Sequence, residues 1–112
     1  MGNTPKTAKE IIASLGSRYR PEKAPSGYAT TIHFDISGSN GGKFTVNVAN
    51  GVCTVAEGHQ GTAKCTVTTK AKTYENVELG RSNPQMAVMM GKIRLSNLSE
   101  MMTFSTLFRR LY

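Results

Sequence analysis

Tryptophan is absent from this sequence, and only two of its 112 residues are cysteine. Cys53 and Cys65 form no CxxC pair and no cluster with histidine at metal-ligand spacing, which leaves no zinc module to consider. Both are expected to be small buried side chains on adjacent strands, and a disulfide would require those strands to pair in register. Acidic residues are scarce: seven Asp and Glu face fourteen Lys and Arg, a net charge of +7. Such a balance suits anionic partners: nucleic acid, acidic lipid surfaces or phosphate-bearing ligands. No apolar run approaches the ~20 residues that span a bilayer. The polar, lysine-bearing start has no apolar signal core. A soluble, reduced, cytoplasmic setting is expected. Without internal repeats or low-complexity tracts, the length predicts one domain, residues 1–112.

Groups for acid–base or nucleophilic chemistry are equally sparse. The two histidines are His33, beside Asp35 on the strand face away from Phe34, and His59 in a turn; both read as surface residues. The one close acidic pair, Glu75 and Glu78, reads as a solvated helix face. No nucleophile elbow or zinc spacing occurs. Gly38-Ser39-Asn40-Gly41-Gly42-Lys43-Phe44 has the glycine content of a phosphate loop. Phe44 stands where that loop needs Ser or Thr, and a strand follows where it needs a helix, so a hairpin turn is the better account. The expectation is a protein that is not an enzyme and needs no metal or cofactor.

What is present is a clear pattern of elements. Thr4-Pro5 opens a helix whose apolar positions Ala8, Ile11, Ile12 and Leu15 share one face, with Gly16 as its stop. Ser17 to Gly27 is a basic connecting loop rich in proline. Tyr28 to Ile36 alternates as a strand, with Tyr28, Thr30, Ile32, Phe34 and Ile36 on one face. Phe44, Val46 and Val48 alternate likewise, and Asn50-Gly51 is the strongest short hairpin signal, returning the chain as Val52 to Glu57. Cys65 to Thr69 is a fourth strand near this three-stranded meander. Thr69 to Leu79 changes period, with Ala71, Tyr74, Val77 and Glu78 suggesting a short helix that Gly80 ends.

The chain is organised around the stretch that follows. Asn83 is a good N-cap, Pro84 suits the first helical position, and Gly91 can end the helix in a left-handed conformation. Between them Met86 to Met90 is unbroken apolar sequence, so the helix is expected to be enclosed. Ile93 and Leu95 then alternate with Lys92, Arg94 and Ser96 as a strand. Asn97 caps the last helix, with Glu100 as the second member of a capping-box variant. Continued to Leu111, that helix spreads Leu98, Met101, Met102, Phe104, Leu107, Phe108 and Leu111 over about 220° of its surface, where a stripe of about 100° would cover a core. The surplus calls for another helix, a partner or a ligand. Methionine adapts to irregular shapes, and Gln85 supplies one amide beside the apolar wall.

Phe34-Asp35-Ile36-Ser37-Gly38, Gly51-Val52-Cys53-Thr54-Val55, Cys65-Thr66-Val67-Thr68, and above all Asn83-Pro84-Gln85-Met86-Ala87 with Met90-Gly91-Lys92 resemble the sterol carrier protein type 2 (sterol-binding) domain. The resemblance runs from about Ile11 to Phe108. It implies an α+β fold: a five-stranded, mostly antiparallel sheet, helices covering one face, and a hydrophobic tunnel between them. It implies ligands among fatty acids, fatty acyl-CoAs, sterols and phospholipids, with Gln85 and Met89 at tunnel-lining positions and the last helix as lid. The chain's end, Arg110-Leu111-Tyr112, is not the Ser-Lys-Leu peroxisomal address some animal members carry.

Residues and resemblance together point to non-catalytic lipid binding and transfer. The expected lining is Gln85, Met86, Met89, Met90, Met101, Met102, Phe104, Leu107 and Phe108, around a volume of ~300–1,000 Å³. Transient contact with an anionic membrane surface fits the charge. Two rivals share part of the pattern. One is an accessory subunit presenting a lipid to a separate enzyme. The other is a basic nucleic-acid-binding module, weakened by scattered basic residues and by the lack of an aromatic–basic strand pattern.

Overall fold

The computed structural model describes residues 4–111. Elements follow in the order α1 (Ala8–Ala13), α2 (Leu15–Arg18), a 3₁₀ turn (Pro21–Lys23), β1 (Thr30–Ser37), β2 (Gly42–Ala49), β3 (Val52–Glu57), β4 (Cys65–Lys70), α3 (Ala71–Glu78), α4 (Pro84–Met89), β5 (Ile93–Leu95) and α5 (Leu98–Ser105).

The alternating runs form a sheet of order β3-β2-β1-β4-β5. β1–β2, β2–β3 and β4–β5 are antiparallel; β1–β4 is parallel. The α+β fold with five mostly antiparallel strands is thus as expected. At the β2–β3 hairpin Asn50 and Gly51 take φ of 55° and 77°, the left-handed pair that a tight two-residue turn demands. Because β1 and β4 run parallel, the link from β3 must cross β2 and β1 before β4 begins. It crosses near the open face: Thr45 Oγ1 donates to Gly58 O at 2.7 Å and accepts from Gln60 N at 2.9 Å, and Lys64 N donates to Thr31 O at 2.8 Å.

One face of the sheet is apolar and covered. Ile32, Phe34 and Ile36 from β1, Phe44, Val46 and Val48 from β2, and Cys65 and Val67 from β4 are buried there. Ile11 and Ile12 of α1 are fully buried with them, each contributing roughly 1.5–3 kcal/mol by leaving water. The alternate positions Thr31, His33, Asp35, Lys43 and Asn47 are half-buried or exposed.

Several local expectations are corrected. α1 starts at Thr7, not Thr4: Thr7 Oγ1 accepts from Glu10 N, and Glu10 Oε1 accepts from Thr7 N, a reciprocal capping box. Gly16 does not stop the chain's first helix but lies inside α2. Cys53 and Cys65 are free and buried as expected, yet their strands are not adjacent, since β2 and β1 lie between β3 and β4. Glu75 and Glu78 do not form a solvated face. Glu75 is buried, and its Oε2 accepts the backbone N–H of Ala8 at 2.8 Å. Asn97 Oδ1 does accept from Glu100 N at 3.1 Å, but the Glu100 carboxylate turns to Tyr28 Oη instead of completing a box.

The largest correction concerns the last helix. It ends at Ser105 with Thr106 as its cap. Beyond it the backbone pairs with the segment after α2: Arg20 N donates to Leu107 O at 2.7 Å and Arg109 N to Arg18 O at 2.9 Å, with a bridge between Tyr19 and Phe108. Those carbonyls and amides are thereby committed outside the helix. Only Leu98, Met101, Met102 and Phe104 remain on α5, an apolar arc of about 160° at 100° per residue. The 220° arc does not exist.

Candidate functional site

α4 is held by its two ends. Asn83 Oδ1 accepts from Gln85 N at 2.8 Å and Met86 N at 3.2 Å. At the other end Gly91, at φ 76°, donates to Val88 O at 3.0 Å while Lys92 N donates to Ala87 O at 2.9 Å. These two bonds are the Schellman pattern, which closes a helix without using side chains. Ala87 is buried and Val88 half-buried, and the helix packs against β5 and α3.

At 100° per residue, Gln85, Met89, Met86 and Met90 follow one another over about 140° of the opposite side. That side is open. Met86 is 52 % exposed, Met89 81 % and Met90 62 %, and Gln85 is exposed beside them. The expectation that α4 would be enclosed is therefore not met: only the Ala87–Val88 edge meets the fold, and the chain leaves the opposite side uncovered. On α5 Met102 is likewise 60 % exposed and Leu98 54 %, while Met101 is half-buried.

Phe104, Leu107 and Phe108 sit differently. All three are buried. The rings of Phe104 and Phe108 belong to an aromatic file that crosses the core: Tyr19–Phe108 at 5.5 Å between centroids, Phe108–Phe104 at 4.8 Å, Phe104–Phe34 at 6.5 Å and Phe34–Tyr74 at 5.9 Å. The nine expected lining residues thus divide into an outward face on α4 with Met102, a half-buried Met101, and a core group of three. They do not surround one common enclosed tunnel.

A feature the sequence reading passed over lies at the other end of the sheet. A half-open cavity of about 360 Å³ is lined by Tyr19, Pro21, Ala24, Pro25, Tyr28 and Ala29 together with the Asn50-Gly51 turn. Its signal was the pair of tyrosines flanking a proline-rich stretch, which reads locally as a basic loop. Tyr28 Oη donates to Glu100 Oε2 at 2.7 Å, tying this wall to α5. Burial pushes the Tyr28 hydroxyl pKa up, and Glu100 adds to the rise. Burial also raises Glu100, but the nearby Thr30 and Tyr28 hydroxyls and the Lys64 charge outweigh it and leave the carboxyl below its ordinary value. Of the two hydroxyls only Tyr28 bonds in good geometry; Thr30 Oγ1 is buried without a partner.

Titratable chemistry elsewhere is structural. His33 and His59 stack at 4.5 Å and 6° across the open sheet face, and each Nε2 meets a backbone carbonyl, Gln60 O and Phe34 O respectively, at 2.9 Å. Burial pushes the Cys53 thiol up to about 11. Among the described residues no group of three His, Cys, Asp or Glu is placed to hold a metal ion, and no helix is long and apolar enough to cross a membrane.

Comparison with solved structures gives the same fold on two kinds of protein. The sec-alkylsulfatase Pisa1 from Pseudomonas sp. aligns at a TM-score of 0.76 and 19 % identity, over 89 % of this chain but only 16 % of its own. Palmitated SCP2L2 from Aedes aegypti aligns at 0.61 and 20 % identity, over 85 % of this chain and 84 % of its own. Apo sterol carrier protein 2 from Yarrowia lipolytica aligns at 0.60 and 17 % identity, over 85 % and 80 %. This chain therefore spans about a sixth of the sulfatase and most of the length of the carriers. Comparison with curated proteins finds no match. Residues 9–109 match the model of the SCP-2 sterol transfer family, and the chain belongs to that family.

Proposed function

We propose that this protein binds and transfers a lipid without transforming it, and that the ligand's tail lies against the outward methionine face of α4. The observation that carries this reading is the exposure of Met86, Met89 and Met90 on one side of a capped helix, with the Gln85 amide at its margin. Side chains of that size left in water are a standing apolar cost, and a covering lipid recovers roughly 0.8 kcal/mol per methylene it buries. Met101 and Met102 offer further thioethers on α5. Phe104, Leu107 and Phe108 form the floor that a tail reaches when α5 shifts. The ligand class is a fatty acid, fatty acyl-CoA, sterol or phospholipid; the palmitated relative supports the first. The basic charge draws the protein to anionic membrane surfaces, where such ligands reside. Free, buried cysteines suit a reducing cytoplasm.

The sheet's open face argues against nucleic acid. Thr31, His33, Asp35, Lys43 and Asn47 stand there on β1 and β2, the His33 ring already stacked on His59, with none of the Phe or Tyr stacking positions that an RNA-binding sheet uses.

Native mass spectrometry of the delipidated protein with palmitate, palmitoyl-CoA and cholesterol tests the reading. A one-to-one adduct with at least one of them is expected. No adduct with any of the three would overturn it.

One observation favours a second reading. The structural match is better to the small part of the alkylsulfatase, at a TM-score of 0.76, than to the carriers near 0.6. In that reading the chain presents an alkyl substrate to a hydrolase, and the α4 face receives the alkyl chain. Tighter binding of a secondary alkyl sulfate than of a fatty acid of equal chain length would select it.

A further inference from the structure

The oxidisable side chains of this protein are sorted by position. Cys65 is fully buried and Cys53 nearly so, and burial holds the Cys53 thiol protonated at neutral pH. The thiolate is the reactive form of cysteine, so Cys53 is a poor target, and Cys65 is closed off from solvent by its burial. Tryptophan is absent. Thioethers need no deprotonation, and here they are displayed: of the six exposed large hydrophobic residues among the described ones, four are methionine. Three of these, Met86, Met89 and Met90, share one side of α4.

We propose that the methionine face of α4 is a reversible oxidation site that switches off the apolar surface. This rests on the lipid-binding reading given above. The oxidant is a hydroperoxide. The thioether sulfur attacks the outer peroxide oxygen, a sulfur–oxygen bond forms and the oxygen–oxygen bond breaks. Sulfur loses two electrons. The leaving oxygen takes them with the proton, as water from hydrogen peroxide or as an alcohol from a lipid hydroperoxide. A dithiol reductase reverses the step, giving back the thioether with water and a disulfide.

The helix survives the change. Its stop is made by backbone groups of Ala87, Val88, Gly91 and Lys92, and its start by Asn83. Its seated edge is Ala87 and Val88. No methionine sulfur serves in either. The sulfoxide is polar and chiral, so what is lost is the apolar face, with the fold retained. Half-buried Met101 is an internal reference within the same chain.

The test treats the purified protein with graded hydrogen peroxide, maps added oxygen by peptide mass spectrometry, and follows binding of a fluorescent fatty acid. Met86, Met89 and Met90 are expected to oxidise before Met101. Affinity should fall about tenfold and return after treatment with methionine sulfoxide reductases, while far-UV circular dichroism stays constant. The variant M86L/M89L/M90L is compared with itself: whatever its starting affinity, peroxide should leave that affinity unchanged. Unchanged affinity of the oxidised wild type would overturn the proposal, as would an equal peroxide effect on the leucine variant. If the untreated protein binds no fatty acid, the lipid reading falls, and the oxidation map still decides the site: Met101 oxidising as fast as Met89 counts against it.

Discussion

The Glu75 carboxylate on α3 accepts the backbone N–H of Ala8, the first residue of α1, at 2.8 Å. The two residues are 67 positions apart. A helix start leaves its first amides without partners inside the helix. Here Thr7 satisfies the Glu10 amide and Glu75 the Ala8 amide, so the start of α1 is tied to α3 by a side-chain hydrogen bond. Removing the acceptor strands a buried donor. Glu75→Ala should cost about 2 kcal/mol and Glu75→Gln less, since the amide oxygen still accepts. Urea unfolding followed by circular dichroism reads both.

Glu78, one turn further along α3, is under the opposite pressure. Burial raises its pKa, and the Arg18 charge offsets this only in part. The residue as a whole is half-buried, but its carboxyl is crowded by protein, and it is the charged group whose desolvation sets the shift. A carboxyl raised in the folded state binds its proton more tightly there than in the unfolded chain, so its ionisation opposes folding above the folded pKa. Glu78→Gln should therefore raise the melting temperature at neutral pH. The gain should fade as pH falls through the raised value and be gone below the ordinary carboxylate range of ~4.3.

Tyr28 and Glu100 show the converse sign. The carboxylate lies below its ordinary value, with the Tyr28 hydroxyl among the causes. Its contribution is present above the unfolded pKa and is lost as pH falls through the folded one. Tyr28→Phe should cost about 1 kcal/mol at neutral pH and leave a shallower loss of stability on acidification. Denaturation midpoints across a pH series measure this.

Two of the proposed ligand-contacting residues should separate stability from binding. Phe104 is buried among Phe34 and Phe108, and Phe104→Ala should cost about 3–5 kcal/mol. Met89 is exposed, and Met89→Ala should change stability by less than about 0.5 kcal/mol while weakening fatty-acid binding. Melting curves and a fluorescent fatty-acid titration on both variants give the two numbers side by side.

Much of the fold was legible because its signals are local. The alternation through Ile32, Phe34 and Ile36, the Asn50-Gly51 turn, and the Asn83 and Gly91 limits of α4 each depend on a few neighbouring residues. Competing local signals were harder to rank: Thr4-Pro5 resembles a helix start, but the Thr7–Glu10 box satisfies two amides and wins. Long-range facts left no mark. Nothing near Cys65 says that β4 pairs parallel with β1, or that Glu75 reaches Ala8. The end of α5 is of this kind, because its stop is made by Arg18 and Arg20 rather than by any breaker at Ser105. The site was half legible. Asn83 to Gly91 emerged from sequence as an apolar, capped helix, but whether such a helix is wrapped or exposed is decided by what the remaining chain has left to cover it.

The central claim is that lipid meets the outward side of α4, and the most direct measurement uses the methionines themselves. With their methyl groups labelled with carbon-13, the delipidated protein is titrated with palmitate and followed by NMR. Met86, Met89 and Met90 should shift first and furthest, Met102 with them, and Met101 less. Palmitate binding that moves other signals while the three α4 methyls stay in place would contradict the account.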